Sequence, residues 1–117
     1  MLHPLSNVPG FPDHMKLGRA CIMSPWVSLT GNTGSHFENT DSDVLPAETW
    51  AYLGEQTLPS LSDVSGPFLQ AIDASDDWFT GAEKRVKRLL LTVGEKECLR
   101  DDVLRESRRK FLAMAPF

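Results

Sequence analysis

The stretch Val86-Lys87-Arg88-Leu89-Leu90-Leu91-Thr92-Val93-Gly94-Glu95-Lys96-Glu97-Cys98-Leu99-Arg100-Asp101-Asp102 decides the fold class. Its first half is a continuous apolar run flanked by charge and ended by glycine, which predicts a strand over 86–94 buried on both faces of a mostly parallel sheet. Helical periodicity begins almost at once. Leu99, Val103, Leu104, Phe111 and Leu112 recur at helical spacing, broken only at the 107 to 108 step, and predict a helix over 99–115. Asp101 and Asp102 stand in its first turn while Arg105, Arg108, Arg109 and Lys110 crowd its later turns, a polarity that complements the helix dipole. Strand, short acidic loop over 95–98, then helix reads as an α/β fold, in which side chains from the loops after the strands converge over the carboxyl edge of the sheet.

Working outward, Ala20-Cys21-Ile22-Met23-Ser24-Pro25-Trp26-Val27 is a second apolar run, stopped by a proline that cannot donate to a ladder. It predicts a strand within 20–27 ending near Ser24. Residues 1–19 carry Pro4, Pro9, Pro12, Gly10 and Gly18 and read as loop. The region 28–85 reads as an irregular and helical insertion outside the core. Within it, Gly31 to Asp43 is turn and cap chemistry expected on the surface, and Pro46 opens a helix over Ala47–Leu53 with Asp43 or Val44 near its cap. Gly54 falls just past that helix, and one further helical turn is expected through Phe68-Leu69-Gln70-Ala71.

Composition bounds the rest. A chain of 117 residues with 41% hydrophobic and 24% charged residues is one domain at most, and folding is the default. A formal charge of −4 provides no basic field for phosphate backbones, so no nucleic-acid partner is expected. No apolar run approaches the roughly 20 residues of a transmembrane helix. Met1 to Leu17, with three prolines and two histidines, lacks the apolar stretch of a signal peptide, which favours an intracellular location. Cys21 and Cys98 are the only cysteines: they exclude a four-cysteine zinc site, suit a reducing compartment and leave a single disulfide open.

Among the acids of the loop, spacing alone makes Asp101 and Asp102 helix-terminal charges and Glu95 a solvated residue. Glu97, two residues before the apolar anchor Leu99, is the one best aimed across the sheet edge. His36 with Glu38, Asp41 and Asp43 lacks the spacing of a calcium loop and reads as solvated, while Asp73, Asp76 and Asp77 read as turn and cap residues, so no metal is expected. Cys98 has no matched base and reads as packing; the cationic face Arg105 to Lys110 reads as solvated.

The segment VKRLLLTVGEKECLRDD resembles the acid-bearing segment of the hormone-sensitive-lipase-like branch of the α/β hydrolases. There an apolar strand and a glycine lead to the triad acid, a small residue, Leu, any residue and Asp. Upstream, ACIMSPWVSLTG resembles the strand that this family ends in Ser-Pro-Trp. SHFENTDSDVL to WAYLG resembles the family's segment after that strand, and DASDDWFTG the stretch before the acid strand. The likeness is closest to fungal carboxylesterases and steryl acetyl hydrolases. It implies a partial α/β-hydrolase fold of two parallel strands, an intervening insertion and a C-terminal helix. It also implies serine ester hydrolysis of a small-molecule ester without cofactor, Glu97 as the triad acid, and Trp26, Trp78 and Phe79 as substrate-pocket candidates, with core packing the simpler role for each aromatic.

The family's nucleophile stands in Gly-x-Ser-x-Gly, and its chain order is Ser, acid, His. None of the eight glycines here has Ser two residues on, and no histidine follows Glu97, the last being His36. The expectation is an internal slice of such a hydrolase, inactive alone because the acid orients an imidazole and does no covalent chemistry itself. The alternative is a non-catalytic remnant or interaction module that folds only with a partner chain, self-associating through exposed sheet edges.

Overall fold

A computed structural model describes Pro12 and residues 14–111. The chain order is β1 (Ala20–Met23), α1 (Gly34–Glu38), α2 (Ala47–Thr57), α3 (Gly66–Leu69), β2 (Leu89–Thr92) and α4 (Arg100–Glu106). Single 3-10 turns stand at Leu58–Ser60, Ala71–Asp73 and Ala82–Lys84, and a π turn over Ser107–Phe111 continues α4. The architecture is mixed α/β, built on a two-stranded parallel sheet in which Ala20, Cys21, Ile22 and Met23 face Leu89, Leu90, Leu91 and Thr92. Most of the 1–19 loop expected from the sequence lies outside the described residues. Its last part reaches the sheet, where Leu17 bridges Val86.

β1 ends where the sequence predicts, next to Ser24, while β2 is shorter than predicted. β1 stops at Met23 because Ser24 turns the backbone to φ +45° and Pro25 has no N–H; the Ser24 N–H still donates to the Thr92 carbonyl at 2.7 Å. β2 occupies only 89–92 of the expected 86–94. Burial on both faces is also corrected. Ala20, Ile22, Leu89 and Leu91 are half-buried, while the alternate positions face outward, with Met23 76% and Leu90 57% exposed. Period-two alternation therefore holds in a strand whose sequence is apolar throughout.

The insertion does not lie outside the core. Leu29, Ile72, Ala74 and Ala82 from it are buried together with Val86, Cys98, Leu99 and Val103. Polar stitches fix it there: the Leu29 N–H donates to Gln70 Oε1 at 2.5 Å and the Ile72 N–H to the Val27 carbonyl at 3.0 Å. Phe68 and Leu69 form the expected helical turn, shifted to start at Gly66.

The C-terminal helix is regular only over 100–106 of the expected 99–115, and residues 112–115 lie outside the described ones. The widened turn from Ser107 coincides with the break in apolar spacing at 107–108. Lys110 is not on a solvated face: it is fully buried, 3.0 Å from Glu106 Oε1, and donates to the Ala71 carbonyl. Arg109 reaches Asp76 at 2.6 Å, so the end of α4 is tied to the turn at 71–76. Among the described residues no helix is long and apolar enough to cross a membrane.

α2 runs through Gly54 instead of ending before it. Gly54 is buried against the Leu29 backbone, and a Cβ there would overlap the Leu29 carbonyl oxygen. The glycine serves close approach, not helix termination. In an exposed helix a Gly to Ala change stabilises by about 1 kcal/mol. Here the overlap is with backbone, so Gly54→Ala is expected to lower unfolding free energy by about 3 kcal/mol in a urea titration; a gain in stability would contradict this packing.

Candidate functional site

The site grows from the end of β2. After Val93 the chain makes a tight turn in which the Glu97 N–H donates to the Gly94 carbonyl at 3.3 Å and the Arg100 N–H to the Glu97 carbonyl at 3.2 Å. The Glu97 side chain folds back over Gly94, where a Cβ would stand 2.8 Å from Oε1; only glycine leaves that space. Ser24, at the end of the neighbouring strand, donates from Oγ to Glu97 Oε1 at 2.9 Å. The left-handed φ of Ser24 is strained for a residue with a Cβ, by about 1 to 3 kcal/mol, and it stands where the strand end meets the carboxylate. Glu97 is half-buried, and its second oxygen, Oε2, is buried with no hydrogen-bond partner.

The loop that carries Glu97 is held by α1 and the turn after it. Asn39 N–H donates to the Ser35 carbonyl and Asp43 N–H to that of Asn39, both at 3.0 Å, so Ser35, Asn39 and Asp43 recur at helical spacing along one side. All three address the acid loop. Ser35 Oγ donates to the Cys98 carbonyl at 2.6 Å and accepts from the Asp101 N–H at 3.0 Å, while its own N–H donates to Asp101 Oδ2 at 3.0 Å. Asn39 Nδ2 donates to the carbonyls of Glu97 at 3.0 Å and Glu95 at 3.3 Å. Asp43 Oδ2 accepts the Cys98 N–H at 2.6 Å. Arg100 closes the outer side, pairing with Glu38 and Asp101 at 2.9 Å each.

The segment 31–43 is thus at the surface on one side only: Phe37 is exposed as expected, while Ser35, His36 and Asn39 turn inward, where Ser35 and Asn39 satisfy the backbone of the loop beneath. Asp43 does not cap α2; Pro46 is the cap residue and the Ala47 N–H donates to Thr40 Oγ1 at 2.9 Å. Nor is His36 solvated. It is fully buried, with Nδ1 3.0 Å from Thr33 Oγ1 and 3.9 Å from Asp102 Oδ2. Asp102 is itself 1% exposed rather than a free helix-terminal charge, and its burial pushes the carboxyl above the usual range. The helix-terminal role falls to Asp101, whose carboxyl is held below the usual range chiefly by the Arg100 guanidinium.

His36, Glu38, Asp41 and Asp43 do not converge, and no group of three or more His, Cys, Asp or Glu able to hold a metal ion exists among the described residues. Trp26 packs on Trp50 with ring centroids 5.1 Å apart, Trp78 meets Phe68 edge to face at 5.1 Å, and Phe79 lines an apolar cavity between the sheet and α4. Ser24, Ser35, Asn39 and Asp43 are the residues that sequence reasoning missed as parts of the site. The four-residue spacing of the last three was the available signal. Comparison with family models, curated proteins and solved structures finds no match to this chain.

Burial and the neighbouring Asp43 push the Cys98 thiol up to about 11. At pH 8 a disulfide reagent is therefore expected to titrate one thiol quickly, the exposed Cys21, and Cys98 only on unfolding. Asp101 gives the pH signature. Its folded carboxyl titrates below its unfolded value, so its stabilisation is present above the ordinary value near 4 and disappears as pH falls through the folded one. With a side chain 35% exposed the ion pair itself is screened. Asp101→Asn should cost about 1 kcal/mol at pH 7 and progressively less as pH falls below about 4, read from urea titrations across that range.

Proposed function

We propose that this chain is the acid-bearing portion of a serine carboxylester hydrolase, with Glu97 as the triad acid and the sheet, acid loop and α4 forming part of an α/β-hydrolase fold. One observation carries the reading: at the carboxyl end of a parallel sheet, Glu97 has one oxygen fixed by Ser24 and the other buried without a partner. A buried carboxylate oxygen left unpaired costs free energy, and an imidazole N–H is a donor that would relieve it. In the chemistry this implies, a serine hydroxyl attacks the ester carbonyl while a histidine takes its proton and passes it to the departing alcohol as the ester C–O bond breaks, leaving an acyl-serine. Glu97 holds that histidine in the reactive tautomer and stabilises the imidazolium, and water then releases the acyl group.

The 117 residues contain no Gly-x-Ser-x-Gly and no histidine after Glu97. The chain alone is therefore expected to give no turnover of p-nitrophenyl butyrate and no fluorophosphonate labelling; stoichiometric labelling of any serine would overturn this. Reading the transcript beyond both ends tests lineage, with a Gly-x-Ser-x-Gly expected upstream and a histidine downstream. In a protein carrying both, Glu97→Gln should lower kcat by about 10⁴.

A second reading, a non-catalytic interaction module, is favoured by the exposed outer face at Met23 and Leu90 and by a sheet in which, among the described residues, no third strand pairs with either edge. It gains if the transcript holds neither motif and the chain sediments as an oligomer.

A further inference from the structure

The inner face of the sheet does not close fully against α4. A recessed cavity of about 100 Å³ remains, walled by Ile22 and Leu91 from the strands, Pro25 and Val27 from the strand exit, Phe79 from the insertion and Val103 from α4. Glu106 completes the wall. Its Oε1 lies 3.0 Å from the Lys110 ammonium, and its Oε2 is buried with no hydrogen-bond partner. The other walls bring side chains with no hydrogen-bonding group, and a water molecule needs two to four polar partners to reside in such a space. Apolar cavities of this kind stay dry and accept hydrocarbon or xenon. Four separate stretches of the chain, at 22–27, 79, 91 and 103–106, supply the walls, so this is not the gap beside one truncated side chain.

We propose that this cavity is a binding site for a small hydrocarbon group of about three to five carbon atoms, arriving either as a free apolar molecule or as the end of a longer alkyl chain. The size limit comes from the volume, smaller than the roughly 150 Å³ that accepts benzene in a leucine-lined engineered cavity. Pro25 in its wall is bonded to Ser24, the residue that holds Glu97, so the cavity lies next to the strand end that carries the site. The assignment does not depend on Glu97 chemistry and stands or falls without it.

The test is a methyl NMR titration of the 117-residue chain with xenon and propane, then with n-butanol and n-octanol. Saturable shifts confined to the methyls of Ile22, Val27, Leu91 and Val103, with apparent Kd on the order of 1 mM, are expected for the first pair. The exposed Val44, Val64 and Leu53 serve as controls. Saturation by n-octanol at the same methyls assigns the site to chain ends; saturation by xenon and propane alone assigns it to free small molecules. No saturable shift with any of the four probes, or equal shifts at the control methyls, overturns the proposal. Val27→Phe and, independently, Leu91→Phe fill the space and should weaken xenon binding at least tenfold in whichever variant retains cooperative unfolding; unchanged binding in a folded variant also overturns it.

Discussion

The backbone of the acid loop, Glu95 to Asp101, is held by side chains from 54 to 66 residues earlier in the chain, and the rest of the architecture depends on that clasp. A tight turn after a strand exposes N–H and C=O groups that no ladder satisfies. Here Ser35, Asn39 and Asp43 supply the missing partners from one side of a helical segment, and Asp43 does so with a charge-assisted bond to the Cys98 N–H. Because Cys98 is fully buried, an unpaired amide there would have no water to turn to. The clasp therefore orders the loop and, with it, the direction in which Glu97 leaves the chain.

Charge is buried on the same side of the molecule. Among the described residues the interior holds His36, Asp102, Glu106 and Lys110 beside Val86, Leu99 and Val103. Such groups contribute less net stability than apolar packing of equal volume, but removal of one partner leaves a buried charge that destabilises strongly. The Glu106–Lys110 pair and the Lys110 bond to the Ala71 carbonyl connect α4 to the insertion, so a polar lock does there what a larger apolar core would do elsewhere. A two-stranded sheet covered on one face has little apolar area to offer, which is consistent with so much of the interior being polar.

Much of the fold was legible. The parallel strands around Ile22 and Leu90, the helix opened by Pro46, the helix after the acid loop and the turn at Phe68 all arise from periodicity and breakers. What escaped was wherever polar residues face inward. His36, Ser35, Asn39 and Gln70 have the composition of surface loops, and only distant partners, the acid loop and α4 for the first three and Leu29 for Gln70, turn them into interior residues. Gly54 escaped for a related reason: a glycine near a helix end reads as a stop, whereas its role is set by the Leu29 carbonyl 25 residues away. That Gly94 ends the strand run was legible, yet the bond from Ser24 to Glu97 was not, because Ser24 as part of Ser-Pro-Trp read only as the end of a strand.

By itself the sequence determined the local elements and the order strand, acid loop, helix, because apolar spacing, proline and glycine act on the chain within a few residues. It also placed Glu97 at the carboxyl end of a strand. Tertiary structure alone decided which oxygen of Glu97 is held, which stays open, and that the 31–43 segment closes over the loop from above. Those outcomes depend on hydrogen bonds between residues 55 to 73 positions apart, whose partners no local pattern specifies.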